Sequence, residues 1–281
     1  MSIPNLSRRG VLALAGGSLA FLGARPALAR GATLHVVSSG GFAAAYRALA
    51  PGFEKHSGDH LVIGWGLSMG ETHDAVPARL KRGEPLDVLI MVGSALDQLA
   101  REGKVIPGSR VDLARSGIGV AVKAGAPHPA TGSVEALKQA LLDAKSIAYS
   151  DSASGVYIQN EMFAKLGIAD AMKGKARMIP ATPVGEIVAR GEAEIGFQQL
   201  SELKPIAGID ILGPLPPELQ KMTVFSAGVV QASRHHGEAE ALIAYLASPA
   251  AAGAIRDSGM EPLGEPLGEP LGESMRQRGR R

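Results

Sequence analysis

The most informative stretch for predicting the fold is one serine-rich turn, Ser150-Asp151-Ser152-Ala153-Ser154-Gly155-Val156-Tyr157. The turn follows a strand-like run at residues 146–149 and leads into a helix-like segment from Val156. The free N–H groups at a helix start carry partial positive charge, and short serine side chains add hydroxyl donors without filling the space that a ligand needs. This turn is therefore typical of a helix N-terminus that holds an anion.

The same arrangement recurs after three further strand-like runs, at residues 36–41, 66–70 and 90–94. Open α/β sheets bind their ligands at the carboxyl ends of the strands, and all of these turns fall at such ends. We therefore expect several helix N-termini to converge on one small anionic ligand.

Strand-like and helix-like segments alternate through residues 30–260. The first helix has one apolar stripe with the spacing i, i+3, i+4, i+7 and i+11, formed by Phe42, Ala45, Tyr46, Leu49 and Phe53. The other predicted helices are 71–81, 95–101, 133–142, 156–166 and 184–190, and the predicted strands are 33–37, 61–65, 88–92, 118–122, 146–149 and 194–197. This order predicts an α/β fold with open sheets.

The first 29 residues have the pattern of an export signal. Ser7-Arg8-Arg9 supplies a charged start, residues 11–22 an apolar core, and Ala27-Leu28-Ala29 a small-residue cleavage site. The apolar run is too short to cross a membrane as a helix, and the arginine pair resembles the twin-arginine export pattern. The pattern predicts a protein of the periplasm without membrane insertion; an amphipathic or buried helix is the alternative interpretation.

At the other end, Glu261-Pro262-Leu263-Gly264 begins a four-residue repeat that runs to Gly272 and leads into a basic segment. Proline and glycine every four residues exclude a helix or a central strand. We interpret the basic end as a solvated tail rather than a nucleic-acid site. Residues 261–281 are therefore predicted to be a disordered, low-complexity tail.

Composition limits the partners and cofactors. The formal net charge is +2 for the whole chain and −1 without the first 29 residues, which contain three arginines and no acid, so no broad basic field attracts nucleic acid or an anionic membrane. The chain has no cysteine, and His235-His236 is interpreted as surface rather than as a metal site. No glycine motif for a nucleotide occurs, so no cofactor and no metal are predicted. A serine nucleophile at 150–155 is a weaker alternative, because the sequence places no histidine to activate it.

Four segments together resemble the periplasmic molybdate-binding proteins of ABC transporters. They are Ser38-Ser39, Lys81-Arg82-Gly83-Glu84-Pro85-Leu86-Asp87-Val88, residues 152–155, and Ala189-Arg190-Gly191-Glu192-Ala193-Glu194-Ile195-Gly196-Phe197. The resemblance implies a type II periplasmic binding protein, an α/β fold with two lobes and a ligand cleft between them. It places lobe one at residues 30–116 and 224–260 and lobe two at residues 117–223. It also implies a monomer that passes its ligand to an ABC permease.

The same resemblance indicates which residues bind the anion. It indicates Ser38 or Ser39 and Ser68 in lobe one, and Ser152 and Ser154 in lobe two. Gly40 and Met69 of the same turns, and Gln198 of lobe two, are further predicted ligand-binding residues. None of the four turns carries lysine or arginine, so neutral dipoles would hold the ligand, which suits a compact dianion. Asp151 would be an unfavourable charge beside an anion, and we expect it to point away or to cap the following helix.

One segment departs from the molybdate-binding pattern. Phe197-Gln198-Gln199-Leu200-Ser201 stands where those proteins usually have a tyrosine-containing segment. Glutamine amides donate and accept hydrogen bonds, which suits a carboxylate as well as a metalate. Residues 38–46, 68–70 and 149–157 are more similar to a subgroup that includes aconitate isomerase. A tricarboxylate more often recruits arginine, and Arg79 and Arg190 are near enough in sequence to reach the cleft rim.

The isomerase alternative needs one group that takes and returns a proton, since trans- and cis-aconitate interconvert by allylic proton transfer. The candidates are His73, Tyr157 and Glu71. Each has a non-catalytic interpretation, because His73 fits a solvated helix residue, Tyr157 a packing residue, and Glu71 a partner of the helix dipole. The sequence analysis therefore predicts a periplasmic solute-binding protein that closes on a small anion by hinge bending, with an aconitate isomerase as the alternative.

Overall fold

Two mixed β-sheets organise residues 31–264, which are the residues that this computed structural model describes. The predicted export signal and residues 265–281 of the predicted tail lie outside the described residues. The strands are β1 Thr33–Ser38, β2 His60–Trp65, β3 Val88–Val92, β4 Val111–Ser116, β5 Ile118–Lys123, β6 Ile147–Ser150, β7 Ala176–Ile179, β8 Ile195–Gln199, β9 Ile209–Pro214, β10 Thr223–Val229 and β11 Glu261–Pro262.

The helices lie between these strands and cover both sheets. They are α1 Gly40–Ser57, α2 Val76–Lys81, α3 Gly93–Arg101, α4 Val134–Asp143, α5 Ala153–Tyr157, α6 Phe163–Lys165, α7 Ala169–Met172, α8 Val184–Ala189, α9 Leu200–Leu203, α10 His236–Leu246 and α11 Ala252–Asp257. A π-helical turn, Ile158–Met162, joins α5 to α6, and a 3₁₀ turn, Pro249–Ala251, precedes α11. Within residues 31–264, no helix is both long enough and apolar enough to cross a membrane.

The first sheet has the strand order β11-β4-β10-β3-β1-β2. β1 lies parallel to β2 and β3, with Val36 opposite Ile63 on one side and Val88 on the other. β10 returns antiparallel to β3 and β4. The carboxyl ends of β1, β2 and β3 therefore meet at one edge, where the serine-rich turns begin.

The second sheet has the order β7-β6-β8-β5-β9 and is built in the same way. β6 lies parallel to β7 and β8, while β5 pairs antiparallel with β8 and β9. The chain leaves the first sheet at Ser116 and enters the second at Ile118, so Gly117 alone separates β4 from β5. It returns through the segment between β9 and β10. Two sheets joined by two crossing segments confirm the predicted two-lobed α/β fold.

Each lobe has its own apolar core. The predicted stripe of α1, from Phe42 to Phe53, is buried against the first sheet, together with Leu242 and Leu246 of α10. Residues of α4, the π-helical turn and α6 pack on the second sheet around Phe197. Burial of an apolar side chain contributes about 1.5–3 kcal/mol. The lobes are therefore stabilised separately, and the space between them is free for a ligand.

Two predicted helices need correction. The helix predicted over 71–81 begins only at Val76, since the preceding residues form a loop that contains Gly70 at a φ of 93°. Proline is favoured in the first turn of a helix, where its missing N–H costs no bond, and Pro77 lies there. The helix predicted over 156–166 begins earlier, at Ala153, and includes the π-helical turn. Strands β4, β7, β9, β10 and β11 were not predicted, because they lack a continuous apolar run.

The predicted start of the tail is also wrong. Glu261 and Pro262 form β11, which pairs with β4, and the Leu263 N–H donates to the Leu113 carbonyl over 2.9 Å. Proline is tolerated in an edge strand, where its missing N–H faces away from the ladder. The ordered chain therefore extends at least to Gly264.

Candidate functional site

A small cavity of about 40 Å³ lies between the two lobes. The first sheet and its turns supply Ser39, Gly40, Gly41, Leu67, Ser68, Met69, Val92, Thr223 and Phe225, and the second supplies Asp151, Ser152, Ala153, Gln199 and Glu202. Most of these residues lie at the carboxyl ends of strands or beside the crossing segments, where open α/β sheets bind their ligands. The cavity has room for about three water-sized groups.

The N-terminus of α1 points its unpaired groups at this cavity. Ser39 is the N-cap residue, with an extended backbone, yet its side chain forms no capping bond. Among the side chains of residues 31–264, the Ser39 hydroxyl is one of three buried polar groups without a hydrogen-bond partner, and Ser39 is only 5% exposed. A buried unpaired hydroxyl is costly, and the first N–H groups of a helix have no partner within it. This end of the cavity is therefore built to donate hydrogen bonds to an anion.

Ser68 adds a second hydroxyl on the same side. Its Oγ accepts a hydrogen bond from the Val92 N–H over 3.0 Å, so its own proton is available for a ligand. Met69, at 39% exposure, also lines the cavity. Ser38 is fully buried behind them, and its hydroxyl bonds to the Ser39 carbonyl over 3.1 Å. The predicted residue Ser38 thus supports the turn and does not line the cavity.

Three serine hydroxyls form a cluster on the lobe-two side. Ser150 Oγ lies 2.7 Å from Ser152 Oγ and 3.0 Å from Ser154 Oγ. Ser152 lines the cavity, whereas Ser154 is buried beneath it and orients it. Gly155 makes this tight turn possible, because a Cβ there would lie 1.6 Å from the Ser150 carbonyl oxygen. The serine-rich turn therefore presents one hydroxyl, held by two others.

Asp151 lines the cavity next to Ser152, although the sequence favoured a position away from the ligand or a cap on the helix. Its Oδ2 accepts from the Ala181 N–H over 3.0 Å. Ala181 has a φ of 54°, in the left-handed region that costs a non-glycine residue conformational energy. The carboxylate of Asp151 therefore fixes a strained loop at the rim of the cleft.

Glu202 lines the cavity from α9, and the sequence analysis did not single it out. Its Oε1 packs against the backbone of Gly40 at the start of α1, since a methyl group on Gly40 would come within 2.5 Å of it. Burial raises the pKa of Glu202 to about 7, nearby Asp151 adds to the rise, and a hydrogen bond with Gln198 opposes it. Near neutral pH this carboxyl is populated in both protonation states. In the sequence, the position of Glu202 shortly after the carboxyl end of β8 is the feature that could have identified it as a site residue.

Gln199 connects the cavity to both crossing segments. With its amide oriented to satisfy both ends, the NH₂ donates to the Ser116 carbonyl over 3.0 Å and the oxygen accepts from the Thr223 hydroxyl over 2.8 Å. The Leu200 N–H bonds to the Gly117 carbonyl over 2.9 Å. The segment that carries Glu202 is thus attached directly to the points where the chain passes between lobes.

Besides Ser38 and Ser154, four further predicted site residues lie outside the cavity lining. His73 is 80% exposed and its Nδ1 lies 3.0 Å from Asp74 Oδ1, and Glu71 is exposed on the same loop. The Tyr157 hydroxyl donates to the Leu219 carbonyl over 2.6 Å, and the Gln198 Oε1 accepts from the Val184 N–H over 2.8 Å. His73 and Glu71 are displaced because their helix begins late, while Tyr157 and Gln198 face inward to the core of lobe two.

Within the described chain, no lysine or arginine lines the cavity. The two arginines considered from the sequence are engaged elsewhere, Arg79 with Glu84 over 3.0 Å and Arg190 with Glu192. No cluster of three or more metal-ligating side chains occurs in residues 31–264. Hydroxyls, backbone N–H groups and two carboxyls therefore determine the chemistry of the cavity.

Comparison with known proteins gives the context of this geometry. A family model described as bacterial extracellular solute-binding protein matches residues 34–261. The chain is 50% identical over 260 residues to an aconitate isomerase of Pseudomonas sp, covering 92% of this chain and 98% of that protein. It is 26% identical over 262 residues to a molybdate-binding protein of Azotobacter vinelandii, covering 89% and 96% of the two chains. A solved periplasmic molybdate-binding protein of Azotobacter vinelandii shares the fold, with a TM-score of 0.63, 24% identity, and coverage of 81% and 98%.

Proposed function

This chain belongs to the family of bacterial extracellular solute-binding proteins, and we propose that it is an aconitate isomerase, which interconverts trans- and cis-aconitate in its cleft. The substrate is that of the aconitate isomerase that the chain resembles along nearly its whole length. The observation that carries the proposal is the cavity between the lobes, because it sets anion-binding groups of one lobe against a carboxyl group of the other. A receptor needs only the anion-binding groups, whereas an isomerase also needs a group such as this carboxyl that can transfer a proton.

The anion-binding groups have a direct role in this reaction. A substrate carboxylate at the start of α1 accepts from the backbone N–H groups there and from the unpartnered Ser39 hydroxyl. Ser68 and Ser152 supply further hydroxyls from opposite sides. Charge-assisted hydrogen bonds are about twice as strong as neutral ones. Since negative charge spreads onto the substrate carboxylates when a neighbouring C–H bond ionises, the same donors stabilise the intermediate.

The reaction itself moves one proton. A base removes a proton from the methylene carbon, the electron pair spreads over the allylic system, and a proton returns to the carbon at its other end. The former double bond becomes single, so the new double bond forms in either geometry. A tricarboxylate is larger than the cavity of about 40 Å³, so the lobes must open at the crossing segments to admit it.

A proton NMR time course tests this function. Trans-aconitate is incubated in heavy water with a catalytic amount of purified protein. We expect many turnovers to the cis isomer, with deuterium entering the methylene and vinyl positions. An unchanged spectrum at saturating substrate would reject the isomerase function.

A receptor for a small oxyanion is the second candidate. Two observations favour it: the cavity is small, and no cationic side chain among the described residues lines it. Neutral dipoles suit a compact, desolvated dianion, and the partner would then be an ABC permease. Titration with molybdate, tungstate and sulfate separates the candidates, since a receptor binds one of them tightly and leaves aconitate unchanged.

The proposal also covers the export signal, the bounds of the two lobes and the oligomeric state. Residues 1–29 act as a twin-arginine export signal and deliver a periplasmic protein. Lobe one comprises residues 30–116 and 224–264, since β11 pairs with β4, and lobe two comprises residues 117–223. The mature protein acts as a monomer without a cofactor. The mass and N-terminal sequence of the protein recovered from periplasm should show a first residue at Arg30.

A further inference from the structure

Two ionisable side chains, Glu202 and Asp151, line the cavity within the described chain. We propose that Glu202 is the catalytic residue that removes and returns the allylic proton, an inference that rests on the isomerase function proposed above. It replaces His73, Tyr157 and Glu71, which the structure places away from the cavity. Three observations support this assignment: its position, its partners and its protonation.

The position of Glu202 is set by contacts between the lobes. Its Oε1 packs against Gly40, where the first N–H groups of α1 are free to hold a substrate carboxylate. A carbon atom adjacent to a carboxylate held there lies within reach of the same oxygen, and this is the carbon that loses a proton. When the lobes open to admit the substrate, the Glu202 carboxyl moves away from Gly40, and as the end of a flexible side chain it can turn back toward the bound substrate.

The backbone around Glu202 is fixed although α9 is short. The Leu200 N–H bonds to the Gly117 carbonyl over 2.9 Å, and Ser201 N lies 3.4 Å from the Ser116 Oγ. Both acceptors belong to the crossing between β4 and β5. The segment that carries Glu202 is therefore attached to the crossing segment at Ser116 and Gly117, which would act as a hinge. Closing the lobes about this hinge would bring Glu202 to the substrate.

The partners of Asp151 and Glu202 distinguish the two carboxyls. Asp151 accepts from the Ala181 N–H and holds a strained loop, so moving it to reach a carbon atom would release that loop. Glu202 has one side-chain partner, the amide of Gln198, and faces the cavity. Glu202 is therefore free to approach the substrate, whereas Asp151 serves as a fixed neighbour.

The protonation of Glu202 suits a group that both takes and returns a proton. Desolvation holds its pKa near 7, and the facing groups are the Asp151 carboxylate, which raises the pKa, and the neutral Gln198 amide, which lowers it. The positive end of α1 also faces it. A general acid–base group with a pKa near the working pH is most effective, because a large share of it is in the base form while it keeps as much basicity as that pH allows.

The proposed step balances without any added reagent. The Glu202 carboxylate takes a proton from the methylene carbon, and the C–H electron pair enters the allylic system of the substrate. The neutral acid then delivers the same proton to the other terminal carbon, and the carboxylate is restored. Since a single group acts on one face, part of the proton should be transferred within the molecule rather than exchanged with solvent.

The test compares Glu202→Gln with the wild type and with Glu218→Gln, a matched change at an exposed glutamate of the same lobe. Turnover is followed by NMR, and binding is measured with propane-1,2,3-tricarboxylate, a saturated analogue that cannot isomerise. Glu202→Gln should lose about 10²- to 10⁴-fold in kcat and bind the analogue within about threefold of wild type. Glu218→Gln should match the wild type. A Glu202→Gln variant that keeps more than a tenth of wild-type kcat would overturn the proposal.

A pH profile and a second variant cover the case in which Glu202→Gln does not fold. The kcat/KM of the wild type should fall about tenfold per pH unit below about pH 7, and Glu202→Asp should keep activity with a shifted break. A break that Glu202→Asp leaves in place would overturn the proposal, since another group would then be titrating. Inactivity of the wild type is a different outcome, because it rejects the isomerase function itself.

Discussion

The two halves of the cavity are built from the same local motif but contain different chemistry. In lobe one, the Ser39–Gly40 turn opens an 18-residue helix and offers hydroxyl and N–H donors. In lobe two, the serine-rich turn opens a five-residue helix, and acids accompany its hydroxyls at Asp151 and Glu202. Hydrogen-bond donors alone are sufficient to bind an anion, whereas hydrogen-bond donors together with a titratable carboxyl group can also support proton transfer. Under the proposed function, lobe one would hold the substrate and lobe two would act on it.

The halves also differ in how they are held in place. The lobe-one turn belongs to a long helix whose apolar stripe is buried in the core. The Glu202 segment is short and is bonded to the crossing residues Ser116 and Gly117. A hinge motion at these crossing residues would therefore move the acid relative to the binding groups.

The largest effect should come from breaking the lobe-two turn. In Gly155→Ala, the new Cβ collides with the Ser150 carbonyl, so we expect the free energy of unfolding to fall by about 3 kcal/mol and ligand affinity to be lost. Gly132→Ala is the control, because nothing lies within 4 Å of a Cβ there. Urea unfolding and calorimetric titration with the tricarboxylate analogue measure both. Equal stability of the two variants would show that the turn is not the constraint described here.

Removing one donor from each half sharpens the comparison. Ser39→Ala should weaken anion binding by about 1.5–3 kcal/mol, or roughly 10- to 100-fold. It should leave the free energy of unfolding unchanged or slightly higher, since it removes a buried hydroxyl that has no partner among the described residues. Ser152→Ala should weaken binding and also lower stability, because Ser150 and Ser154 each lose a partner. Titration and urea unfolding of both variants check this. A loss of stability without loss of affinity in Ser39→Ala would contradict the ligand role of lobe one.

The raised pKa of Glu202 predicts a pH-dependent stability. Its pKa is about 7 in the folded protein against 4.5 for the ordinary group, so the folded state retains the proton more strongly. This stabilisation is present below about pH 4.5 and is lost as the pH rises through 7. Glu202→Gln should therefore be more stable than wild type by about 3 kcal/mol at pH 8 and by less than about 1 kcal/mol at pH 5. Urea unfolding at both pH values measures the difference; a constant difference would mean that the carboxyl does not titrate as described.

The smallest effect should come from His73→Ala. His73 is exposed and contacts Asp74, away from the cavity lining, so activity and analogue binding should stay within about twofold of wild type. The NMR assay and calorimetric titration used for Glu202 measure both. A loss of turnover with intact binding would return the proton-transfer role to His73 and reverse the assignment to lobe two.

The sequence determined the features that depend on neighbouring residues. The stripe from Phe42 to Phe53 predicted a buried helix, and alternating strands and helices predicted the α/β fold, because periodicity follows from backbone geometry alone. Serine and glycine after strand ends predicted the anion-binding turns for the same reason. Short strands such as β7, and the late start of α2, lacked a strong local pattern and were missed or misplaced.

The tertiary structure alone decided which of these residues meet. Ser39 and Ser152 face the cavity while Ser38 and Ser154 lie behind them, since a turn of one or two residues separates inward from outward positions. Glu202 approaches Gly40 only because two lobes, distant in sequence, pack across the hinge. No local pattern encodes that contact or the desolvation that raises the pKa of Glu202. The sequence specified the turns, and the packing of one lobe against the other assembled the site.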